Sequence, residues 1–510
     1  MGSGVRTRVA SRRSGRLLFG VVAGSPSIDP SADPPDAVFR ELDCVRGRLS
    51  ARVIADAELR AERLGIGADR VLVASGALDE ETYLRALGDS ISVPFEPLDS
   101  VPRGQCPLDD DRLIESAATG LLPLNTDDGL VFVVAPRGVA ARKILTMAEE
   151  TPDAAARFRF TTAEHFNRFV LRGAGEQLAM NASGALKRKW PALSAASPHR
   201  LGNLVTLAPI IVSIAAAIIV APAVVAHAVE IMLAAMFVAW LALRITGALV
   251  RRPATVSAPD GRDGELPVYT IIAALYQEAS SVDGLLSSIE KLDYPREKLD
   301  VILAIEADDV ETRAAIAARR MRMPVTVIPA PDMGPRTKPK ALNVALPFAR
   351  GSFTVVYDAE DRPEPDQLRC ALQAFRDGGS DLACVQARLC IDNTADSLFA
   401  RYFTAEYAGH FDVFLPGLTA MQLPLPLGGS SNHFHTATLR KIGGWDAYNV
   451  TEDADLGMRL ARFGYRADII DSTTYEEAPA NAGPWLRQRT RWFKGWMRPS
   501  SSCHLIKLCS

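Results

Sequence analysis

A long apolar stretch over residues 201–250 constrains the fold of this chain more than any other feature. Its first part carries no charged side chain up to residue 229 and is longer than the roughly twenty apolar residues that cross a bilayer core. A second apolar run, residues 231–250, is interrupted by Arg244 near its end, where a long side chain can reach the interface. We predict a hairpin of two transmembrane helices that turns near residues 226–228. The alternative is one span followed by a buried or interfacial helix.

Basic residues flank the apolar stretch on both sides, whereas the predicted turn carries neither lysine nor arginine. Because lysine and arginine near membrane spans are retained in the cytoplasm, both soluble parts of the chain are expected on the cytoplasmic side. We therefore expect a multi-pass protein of a bacterial-type inner (plasma) membrane. The flanking residues are Lys187, Arg188, Lys189 and Arg200 before the stretch, and Arg251 and Arg252 after it.

Charge and cysteine content exclude two other classes of protein. The formal net charge is −3 and no block of like charge occurs, which argues against a nucleic-acid partner. The seven cysteines form no Cys-x-x-Cys pair, which argues against a zinc site and against a disulfide framework. Scattered cysteines favour a reducing compartment.

The change in composition along the chain predicts six segments. The N-terminal segment is rich in Arg, Ser, Pro and Asp, so we expect it to be disordered rather than a signal peptide. The segments are a disordered tail (1–36), a small α/β domain (37–175), a linker (176–200), the transmembrane hairpin (201–250), a second α/β domain (251–498) and a C-terminal tail (499–510).

A motif in the first α/β domain carries a resemblance to a known family. Over residues 68–83 a helical pattern stops at a glycine and an acidic segment restarts the next helix. Together with Val93-Pro94-Phe95, this pattern resembles the N-terminal domain of type II secretion ATPases. Some domains of that kind bind a cyclic dinucleotide through a motif that begins Arg-Leu-Gly, and residues 63–65 read Arg-Leu-Gly here. The resemblance therefore implies either a cyclic-dinucleotide site or a docking domain without a ligand.

Short apolar runs alternate with helical patterns after the membrane stretch. This alternation is typical of an α/β fold with a Rossmann-like, mostly parallel sheet covered on both faces. Ligands of such sheets lie at the carboxyl ends of the strands. The predicted strands are residues 268–274, 300–305, 325–329, 353–357 and 382–385, and the predicted helices are residues 281–291, 309–320, 340–349 and 365–377.

Carboxylates follow the predicted strand 353–357 directly. Asp358 and Glu360 are two positions apart, so the end of the strand can direct both side chains to one point. Hard oxygen ligands in this arrangement suit Mg²⁺ or Mn²⁺ bound to a diphosphate. The alternative is an ordinary solvated turn.

Three further clusters accompany this pair. Acidic side chains at 306–309 end another predicted strand, and a lysine-rich segment follows at residues 337–343. The Thr-Glu-Asp segment at residues 451–453 opens a predicted helix with Leu456 and Leu460 facing the core and Arg459 and Arg462 outside, and helix capping is an alternative role for Asp455. The last cluster is Gln488-Arg489-Thr490-Arg491-Trp492, whose rings and donors suit a base, a sugar or a phosphate.

Taken in chain order, the Asp-x-acid, Thr-Glu-Asp and Gln-x-x-Arg-Trp motifs resemble the processive family-2 glycosyltransferases, such as the cellulose and hyaluronan synthases. The resemblance covers residues 265–498 and implies the GT-A fold, a nucleotide-sugar donor (a UDP-sugar in the family's pattern) and a growing polysaccharide as acceptor. It also implies an inverting mechanism, a Mg²⁺ or Mn²⁺ cofactor and a role in exopolysaccharide biosynthesis.

The same resemblance implies a role for each matching residue. Asp453, beside Glu452, is the expected catalytic base, and His433 in the preceding glycine-rich loop is either structural or catalytic. Asp358 and Glu360 are the expected metal ligands. The expected donor-binding residues are Tyr276, Glu278, Glu306, Asp308, Lys338 and Asp358, and the expected acceptor and diphosphate residues are Gln488, Arg489, Arg491 and Trp492.

Two alternatives stay open at this point. One is a non-processive transferase to a lipid-linked acceptor, and the other is a catalytically silent membrane scaffold that responds to a cyclic dinucleotide. Two apolar helices are few for enclosing a sugar chain, and residues 499–510 are too short to cross a bilayer. We therefore expect either a truncated product or a pore-forming partner.

Overall fold

The computed structural model describes residues 39–127, 129–136, 139–196, 204–250 and 262–496. The segments expected as a disordered tail (1–36) and as a C-terminal tail (499–510) lie outside the described residues. The remaining segments are described below in chain order.

The N-terminal region is a small α/β structure. Its three strands form one sheet in the order β1-β2-β3, with β1 and β2 antiparallel and β2 and β3 parallel. The predicted acidic restart is a helix start, because the carboxylate of Asp79 accepts a hydrogen bond from the Thr82 backbone N–H at 3.0 Å. The elements are α1 (Ala51–Leu64), α2 (Ala68–Ala74), α3 (Glu80–Ile91), α4 (Asp110–Thr119), β1 (Leu121–Thr126), β2 (Gly129–Val134), α5 (Ala140–Glu150), α6 (Pro152–Ala155), β3 (Phe158–Phe160) and α7 (Ala163–Lys189).

Helix α7 crosses the predicted domain boundary at residue 175. It bends at Ala174, which has non-helical backbone angles, and continues to Lys189. The predicted linker, residues 176–200, is therefore helical over its first half. That half packs on the C-terminal α/β region, where the Asn343 side chain donates a hydrogen bond to the carbonyl of Ala182 at 2.8 Å.

Two apolar helices follow, α8 (Leu204–Val220) and α9 (Pro222–Leu249). Within the described residues, α9 is the helix that is long and apolar enough to cross a membrane, whereas the apolar part of α8 is shorter. The predicted turn at residues 226–228 is wrong. The helix breaks at Ala221, because Pro222 lacks a backbone N–H and begins α9.

The C-terminal region is an α/β domain around an eight-stranded sheet with the order β6-β5-β4-β7-β10-β9-β11-β8. Strands β10 and β8 run antiparallel to their neighbours, so the sheet is mixed, and the other six strands run in one direction. The elements are β4 (Tyr269–Leu275), α10 (Val282–Glu290), β5 (Leu299–Glu306), α11 (Val310–Ala318), β6 (Val325–Ala330), α12 (Lys338–Ala345), β7 (Phe353–Tyr357), β8 (Arg362–Pro363), α13 (Gln367–Asp377), β9 (Leu382–Ile391), α14 (Leu398–Tyr407), a π-helical segment (Ala408–Phe414), α15 (Leu415–Ala420), β10 (Asn432–His435), α16 (Thr436–Lys441), α17 (Glu452–Arg462), β11 (Arg466–Glu476) and α18 (Ala482–Trp496).

One hydrophobic core joins the N-terminal region to the C-terminal sheet. Buried side chains of α4 and α7, such as Leu113 and Phe166, belong to the same cluster as Ile302 of β5 and Val356 of β7. The two regions also share a buried ion pair, in which Arg60 of α1 donates two hydrogen bonds to Glu297 at 2.5 and 2.9 Å. The N-terminal region and the C-terminal sheet therefore pack directly against each other.

Candidate active site

Carboxylates gather at the edge of the sheet where β7 and β11 end. The tight turn that follows β7 is held by a hydrogen bond from the Asp358 backbone N–H to Asp361 Oδ2 at 2.8 Å. Burial raises the pKa of Asp361 well above its ordinary value, and the charges of Glu476 and Asp358 raise it further. Loss of hydration and the charge of Asp358 also raise the pKa of Glu360. The predicted pair, Asp358 and Glu360, thus lies in a crowded group of carboxylates.

A lysine lies among these carboxylates. Lys338, the first residue of α12, forms an ion pair with Asp358 and donates a hydrogen bond to the carbonyl of Gly429 at 2.7 Å. Burial alone lowers the pKa of Lys338, but the carboxylates of Asp358 and Glu452 outweigh it and the pKa is raised. Lys338 therefore stays protonated and connects β7, α12 and the loop before β10.

The first turn of α17 brings Glu452 and Asp453 to the same place. Asp453 Oδ1 accepts a hydrogen bond from the Ala454 backbone N–H at 2.8 Å, and a Cβ at Gly429 would lie 3.5 Å from Asp453 Oδ2. Burial raises the pKa of Glu452 to about 7, with a further contribution from the charge of Asp453. Burial also raises the pKa of Asp453. Glycine at position 429 leaves open the approach to the Asp453 carboxylate.

Glu476 is a site carboxylate that the sequence motifs do not indicate. It ends β11 and accepts a hydrogen bond from the Ser430 hydroxyl at 3.2 Å. Burial raises its pKa to about 8, and the charges of Asp358 and Glu360 contribute. Its local sequence signal is weak, because β11 is a largely polar strand and the pairing of β11 with β9 is long-range.

His433 has a structural place rather than a catalytic one. It is buried in β10, with Nδ1 2.7 Å from the Tyr269 hydroxyl and Nε2 3.3 Å from Gln367 Oε1. Burial lowers its pKa to about 3, so the ring is neutral. The neighbouring loop is pinned by Gln386, whose side chain accepts from the Gly428 N–H at 2.8 Å and donates to the Ser430 carbonyl at 2.9 Å.

Two of the residues expected to bind the donor, Tyr276 and Glu278, follow β4. Tyr276 is exposed at the end of β4, and Glu278 beside it accepts a hydrogen bond from Ser281 at 2.8 Å. Glu278 contributes to the raised pKa of Glu360, so it lies near the carboxylate group. The strained backbone between them, with a φ of 58° at Gln277, is held by a hydrogen bond from that N–H to an Asp309 carboxylate oxygen.

Glu306 and Asp308 each form an ion pair with a basic side chain. Glu306 is buried and lies 3.3 Å from the ammonium of Lys340, which is itself buried. Asp308 is half exposed and pairs with Arg336 at 2.8 Å. Of the two, Asp308 keeps a carboxylate that a ligand can reach, whereas Glu306 holds Lys340 in place.

Helix α18 carries the Gln-x-x-Arg-Trp motif alongside α17. A Cβ at Gly495 would lie only 2.5 Å from the Thr451 side chain, so glycine allows α18 to approach the start of α17 closely. Arg491 is exposed, whereas Trp492 packs against Phe403 of α14.

The rest of the motif faces α14. Arg489 Nη1 donates to Glu406 at 2.6 Å, and its guanidinium lies 4.6 Å from the centre of the Phe403 ring and 4.7 Å from that of Trp492. The side-chain oxygen of Gln488 is buried without a hydrogen-bond partner in the described residues. Arg489 thus holds α18 against α14. Arg491, by contrast, is the arginine of the motif that a ligand can reach.

The predicted exposure of Arg459 is wrong. Arg459 is buried, lies 3.3 Å from Asp455 and donates to the Ile442 carbonyl at 3.1 Å. Asp455 is therefore an ion-pair partner inside α17 and does not cap the helix. The predicted core positions Leu456 and Leu460 are buried.

The carboxylates of Asp358 and Glu360 are chemically suited to bind a hard divalent cation. Asp358 and Glu360 supply carboxylate oxygens, and the ammonium of Lys338 beside Asp358 shows that this place favours a positive charge. Within the described residues, no group of three or more His, Cys, Asp or Glu side chains is arranged to hold a metal ion. A cation here would therefore need ligands from a bound diphosphate or from water.

Comparison with protein-family models identifies this part of the chain. Residues 270–423 match the model described as glycosyl transferase family 2, and residues 353–509 match glycosyl transferase family group 2. The two matched segments together cover the C-terminal sheet from residue 270 onwards and the Asp-x-acid, Thr-Glu-Asp and Gln-x-x-Arg-Trp motifs.

Curated relatives agree with this match. The chain is 24% identical over 234 residues to the probable glycosyltransferase YdaM of Bacillus subtilis, covering 45% of this chain and 56% of the relative. It is 24% identical over 270 residues to a beta-monoglucosyldiacylglycerol synthase of Synechocystis, covering 50% of this chain and 56% of the relative. The chain thus spans about half the length of these relatives.

Two solved structures are similar to part of the chain. A mannosyltransferase from Pyrobaculum calidifontis in complex with GDP-Man and Mn²⁺ is 23% identical with a TM-score of 0.42, covering 54% of this chain and 73% of that one. TarS residues 1–349 from S. aureus in complex with UDP-GlcNAc is 18% identical with a TM-score of 0.30, covering 42% of this chain and 59% of that one.

Proposed function

We propose that this chain, which matches family-2 glycosyltransferase models over residues 270–509 and has a GT-A-like α/β domain, transfers a hexosyl group from a nucleoside-diphosphate sugar to an acceptor hydroxyl. The observation that carries the proposal is the meeting of three elements at one edge of the sheet. Asp358 at the end of β7, Lys338 at the start of α12 and Asp453 at the start of α17 come together around Gly429. This arrangement supports the proposal, because it brings a cationic group and a basic group together, as a diphosphate leaving group and an acceptor hydroxyl require.

The transfer is a single displacement at the anomeric carbon. The acceptor oxygen forms a bond to C1 of the sugar while the bond from C1 to the diphosphate oxygen breaks, and the nucleoside diphosphate leaves with the electron pair. Asp453 accepts the proton of the acceptor hydroxyl as general base. Attack from the face opposite to the leaving group inverts the configuration, so an α-linked donor gives a β-linked product.

Charge at the diphosphate is balanced by the residues around Asp358. Lys338 stays protonated and can pair with the departing phosphate oxygens. A divalent cation held by Asp358 and Glu360 would neutralise the same leaving group as a Lewis acid. The Mn²⁺ named with the mannosyltransferase of Pyrobaculum calidifontis fits this assignment.

Replacement of the base tests the proposal. Asp453→Asn keeps the shape of the side chain but cannot accept the proton, so transfer should fall about 10²- to 10⁴-fold while nucleotide affinity is retained. Glu477→Gln removes an exposed carboxylate that lies 3.6 Å from Arg362. It is the control and should leave transfer unchanged. The measurement is sugar transfer and nucleotide release over a panel of nucleotide sugars, with binding of the nucleotide measured separately. Lost nucleotide affinity with normal turnover would make Asp453 a binding residue instead.

Elongation of a polysaccharide is the second candidate. A probable glucomannan 4-beta-mannosyltransferase of rice is 28% identical over 144 residues, covering 28% of this chain and 24% of the relative. A ladder of products that grows with time would support this candidate, whereas a single addition supports transfer to a lipid-linked acceptor. The intact carboxylates argue against the silent scaffold.

A two-helix hairpin in the inner membrane completes the proposal. Because residues 40–196 and 262–496 share one core, an odd number of crossings between them would separate packed partners. This favours α8 as a second span beside α9, with both soluble regions in the cytoplasm. Cysteines placed at Lys187 and Arg262 should be labelled only after the membrane is permeabilised, and labelling of either one from outside would contradict the hairpin.

For the N-terminal region the docking role is the better supported one. Arg63 and Gly65 of the Arg-Leu-Gly motif contact the turn Asp263–Glu265, with Arg63 3.7 Å from the Asp263 carboxylate. The motif is thus used to hold the catalytic region, although Arg63 remains largely exposed. Titration of the full chain with a cyclic dinucleotide, with Arg63→Ala as control, separates regulation from docking.

A further inference from the structure

The irregular segment that joins α16 to α17, residues 443–451 (the α16–α17 connection), leads directly to the expected catalytic base. Most of its side chains are buried, among them Trp445, Asp446 and Thr451. Because buried polar groups need hydrogen-bond partners, the partners of this connection determine where α17 begins. They also determine the place of Asp453, the second residue of α17.

Asp446 joins the connection to the segment that precedes the apolar helices. It is 1% exposed, and its Oδ2 accepts a hydrogen bond from the Ala195 backbone N–H at 2.6 Å. Oδ1 accepts from the Ser194 hydroxyl at 3.3 Å and from the Tyr448 backbone N–H at 3.1 Å. Ser194 and Ala195 lie between α7 and α8 in the chain. The carboxylate of Asp446 thus holds the catalytic region against a segment that lies about 250 positions earlier.

The other side of the connection is hydrogen-bonded to α12 and to the residue before it. The Asn343 side chain donates to the Trp445 carbonyl at 2.7 Å and accepts from the Trp445 N–H at 2.9 Å. The hydroxyl of Thr337 donates to the Ala447 carbonyl at 2.9 Å. Thr337 immediately precedes Lys338. The connection is therefore held by the neighbour of the site lysine and ends at the site carboxylates.

A series of hydrogen bonds leads from Asp446 to the first turn of α17. The Asp446 carbonyl accepts from the Asn449 N–H at 3.1 Å. The Asn449 side-chain oxygen accepts from the Thr451 N–H at 3.1 Å and from the Thr451 hydroxyl at 3.2 Å. The Thr451 carbonyl accepts from the Asp455 N–H at 3.1 Å. A displacement of Asp446 would therefore reach the turn that carries Asp453.

From these contacts we infer that Asp446 is a positioning residue for the transfer reaction. By holding the connection between residues 194–195 and Thr337, it sets the position of Asp453 relative to Lys338. This role rests on the proposed glycosyl transfer, in which Asp453 accepts a proton while Lys338 pairs with the departing diphosphate. Asp446 itself is too buried to touch a substrate. Its replacement should therefore slow turnover and leave donor binding unchanged, because a misplacement of about 1 Å can cost about 10²-fold in rate.

Asp446→Asn tests this role with little change in shape. The amide keeps one oxygen as acceptor but turns its own N–H groups towards donors that the carboxylate accepts. The full chain in phosphatidylcholine vesicles receives UDP-glucose, UDP-N-acetylglucosamine or GDP-mannose, with diacylglycerol or cellotetraose as acceptor. Well below the unfolding midpoint, kcat for nucleotide release should fall about 10- to 100-fold, while KM for the nucleotide sugar changes less than about twofold.

Asp300→Asn is the matched control. Asp300 is 3% exposed, and its carboxylate accepts hydrogen bonds from the Thr270 hydroxyl at 2.8 Å and from the Arg350 backbone N–H at 2.9 Å. It lies near the start of β5, whereas the site lies where the strands end. This variant should lower the thermal midpoint without the fall in kcat.

A second variant acts from the other partner. Ala195→Pro removes the N–H that Asp446 Oδ2 accepts, and Ser194 is already extended (φ −115°, ψ 132°), as the residue before a proline requires. It also keeps the charge of Asp446. This matters because burial lowers the pKa of Arg459, and the charges of Asp455 and Asp446 oppose that shift. The same fall in kcat with an unchanged KM is expected.

Combination with Asp453→Asn separates positioning from a purely structural role. In the Asp453→Asn background, Asp446→Asn should change kcat less than about twofold, because residues that act as a unit are not additive. An equal fall in kcat with and without Asp453, a fall that Asp300→Asn reproduces, or an unchanged kcat in either Asp446→Asn or Ala195→Pro would overturn the inference. Failure of the unmodified chain to release nucleotide from any donor would instead overturn the proposed transfer itself.

Discussion

Replacing Glu476 by glutamine should stabilise the protein at alkaline pH and leave its stability unchanged in acid. Glu476 has a pKa of about 8 in the folded protein, against an ordinary value of 4.5, because it is buried next to Asp358 and Glu360. Above pH 4.5 the unfolded chain releases this proton while the folded chain keeps it until about pH 8. The folded state of the unmodified protein therefore loses stability as pH rises through this window.

The size of the effect follows from the two pKa values. The difference between about 8 and 4.5, at about 1.4 kcal/mol per pH unit, sets an upper value of about 5 kcal/mol at pH 8. Glutamine carries no titrating proton and still accepts the hydrogen bond from the Ser430 hydroxyl. The Glu476→Gln variant should thus escape the loss above pH 4.5 and match the unmodified chain near pH 4.

Thermal unfolding of the detergent-solubilised chain, without nucleotide or divalent cation, measures this difference at several pH values. Glu477→Gln is the control, since this neighbouring side chain is exposed and 3.6 Å from Arg362, where an ion pair contributes less than about 1 kcal/mol. The unfolding midpoints of Glu476→Gln and of the unmodified chain should separate progressively as pH rises. An equal displacement at pH 4 and pH 8, or a separation that the Glu477→Gln control reproduces, would refute the electrostatic reasoning.

Three further predictions concern other contacts. Asp358→Asn should raise the Mn²⁺ concentration needed for half-maximal transfer about tenfold or more, because a ligand charge is lost, and an unchanged metal dependence in a metal titration would remove Asp358 from the ligand set. Gly417→Ala should lower the thermal midpoint, since overpacking against the backbone of α9 costs about 1–3 kcal/mol, whereas Gly284→Ala, with open space at its Cβ, should not. Arg60→Ala should destabilise the chain by about 1–3 kcal/mol, because the buried Glu297 carboxylate loses two hydrogen bonds and keeps only Arg296, 3.6 Å away, as an ionic partner among the described residues; no change in unfolding would show that the Arg60–Glu297 contact contributes little to stability.

The strands of the catalytic region and the acids at their ends could be predicted from the sequence, because both signals are local. Apolar runs mark β4, β5 and β7, and the turn with Asp358 follows β7 without a gap. Glu476 could not be found in this way. Its place depends on the parallel pairing of β11 with β9, in which Glu476 lies opposite Ile391, a contact between distant parts of the chain.

The burial of a charged side chain and the break between the apolar helices were not predicted correctly from the sequence. Arg459 was expected at the surface, since arginine rarely enters a core, and only the tertiary contact with Asp455 accounts for its burial. The absence of lysine and arginine predicts the turn between the apolar helices near residues 226–228. The proline at 222 is the stronger local signal, because it begins the second helix. Glu306 ends β5, and no local pattern predicts its ion pair with the buried Lys340 of α12.

The continuous course of α7 has a consequence for how such a chain can be modified. A module on a flexible tether can be exchanged or deleted with little harm to its neighbour. Here the second half of α7 provides part of the wall of the catalytic region, and Trp190 just beyond it packs at 4.9 Å, ring centre to ring centre, against Phe463 after α17. A chimaera joined between the two regions would have to keep α7 whole and match its buried face to the recipient, and truncation before Leu204 would uncover the catalytic core. A substitution in the buried face of α7 therefore has to fit the catalytic region as well, because the two regions share one hydrophobic core.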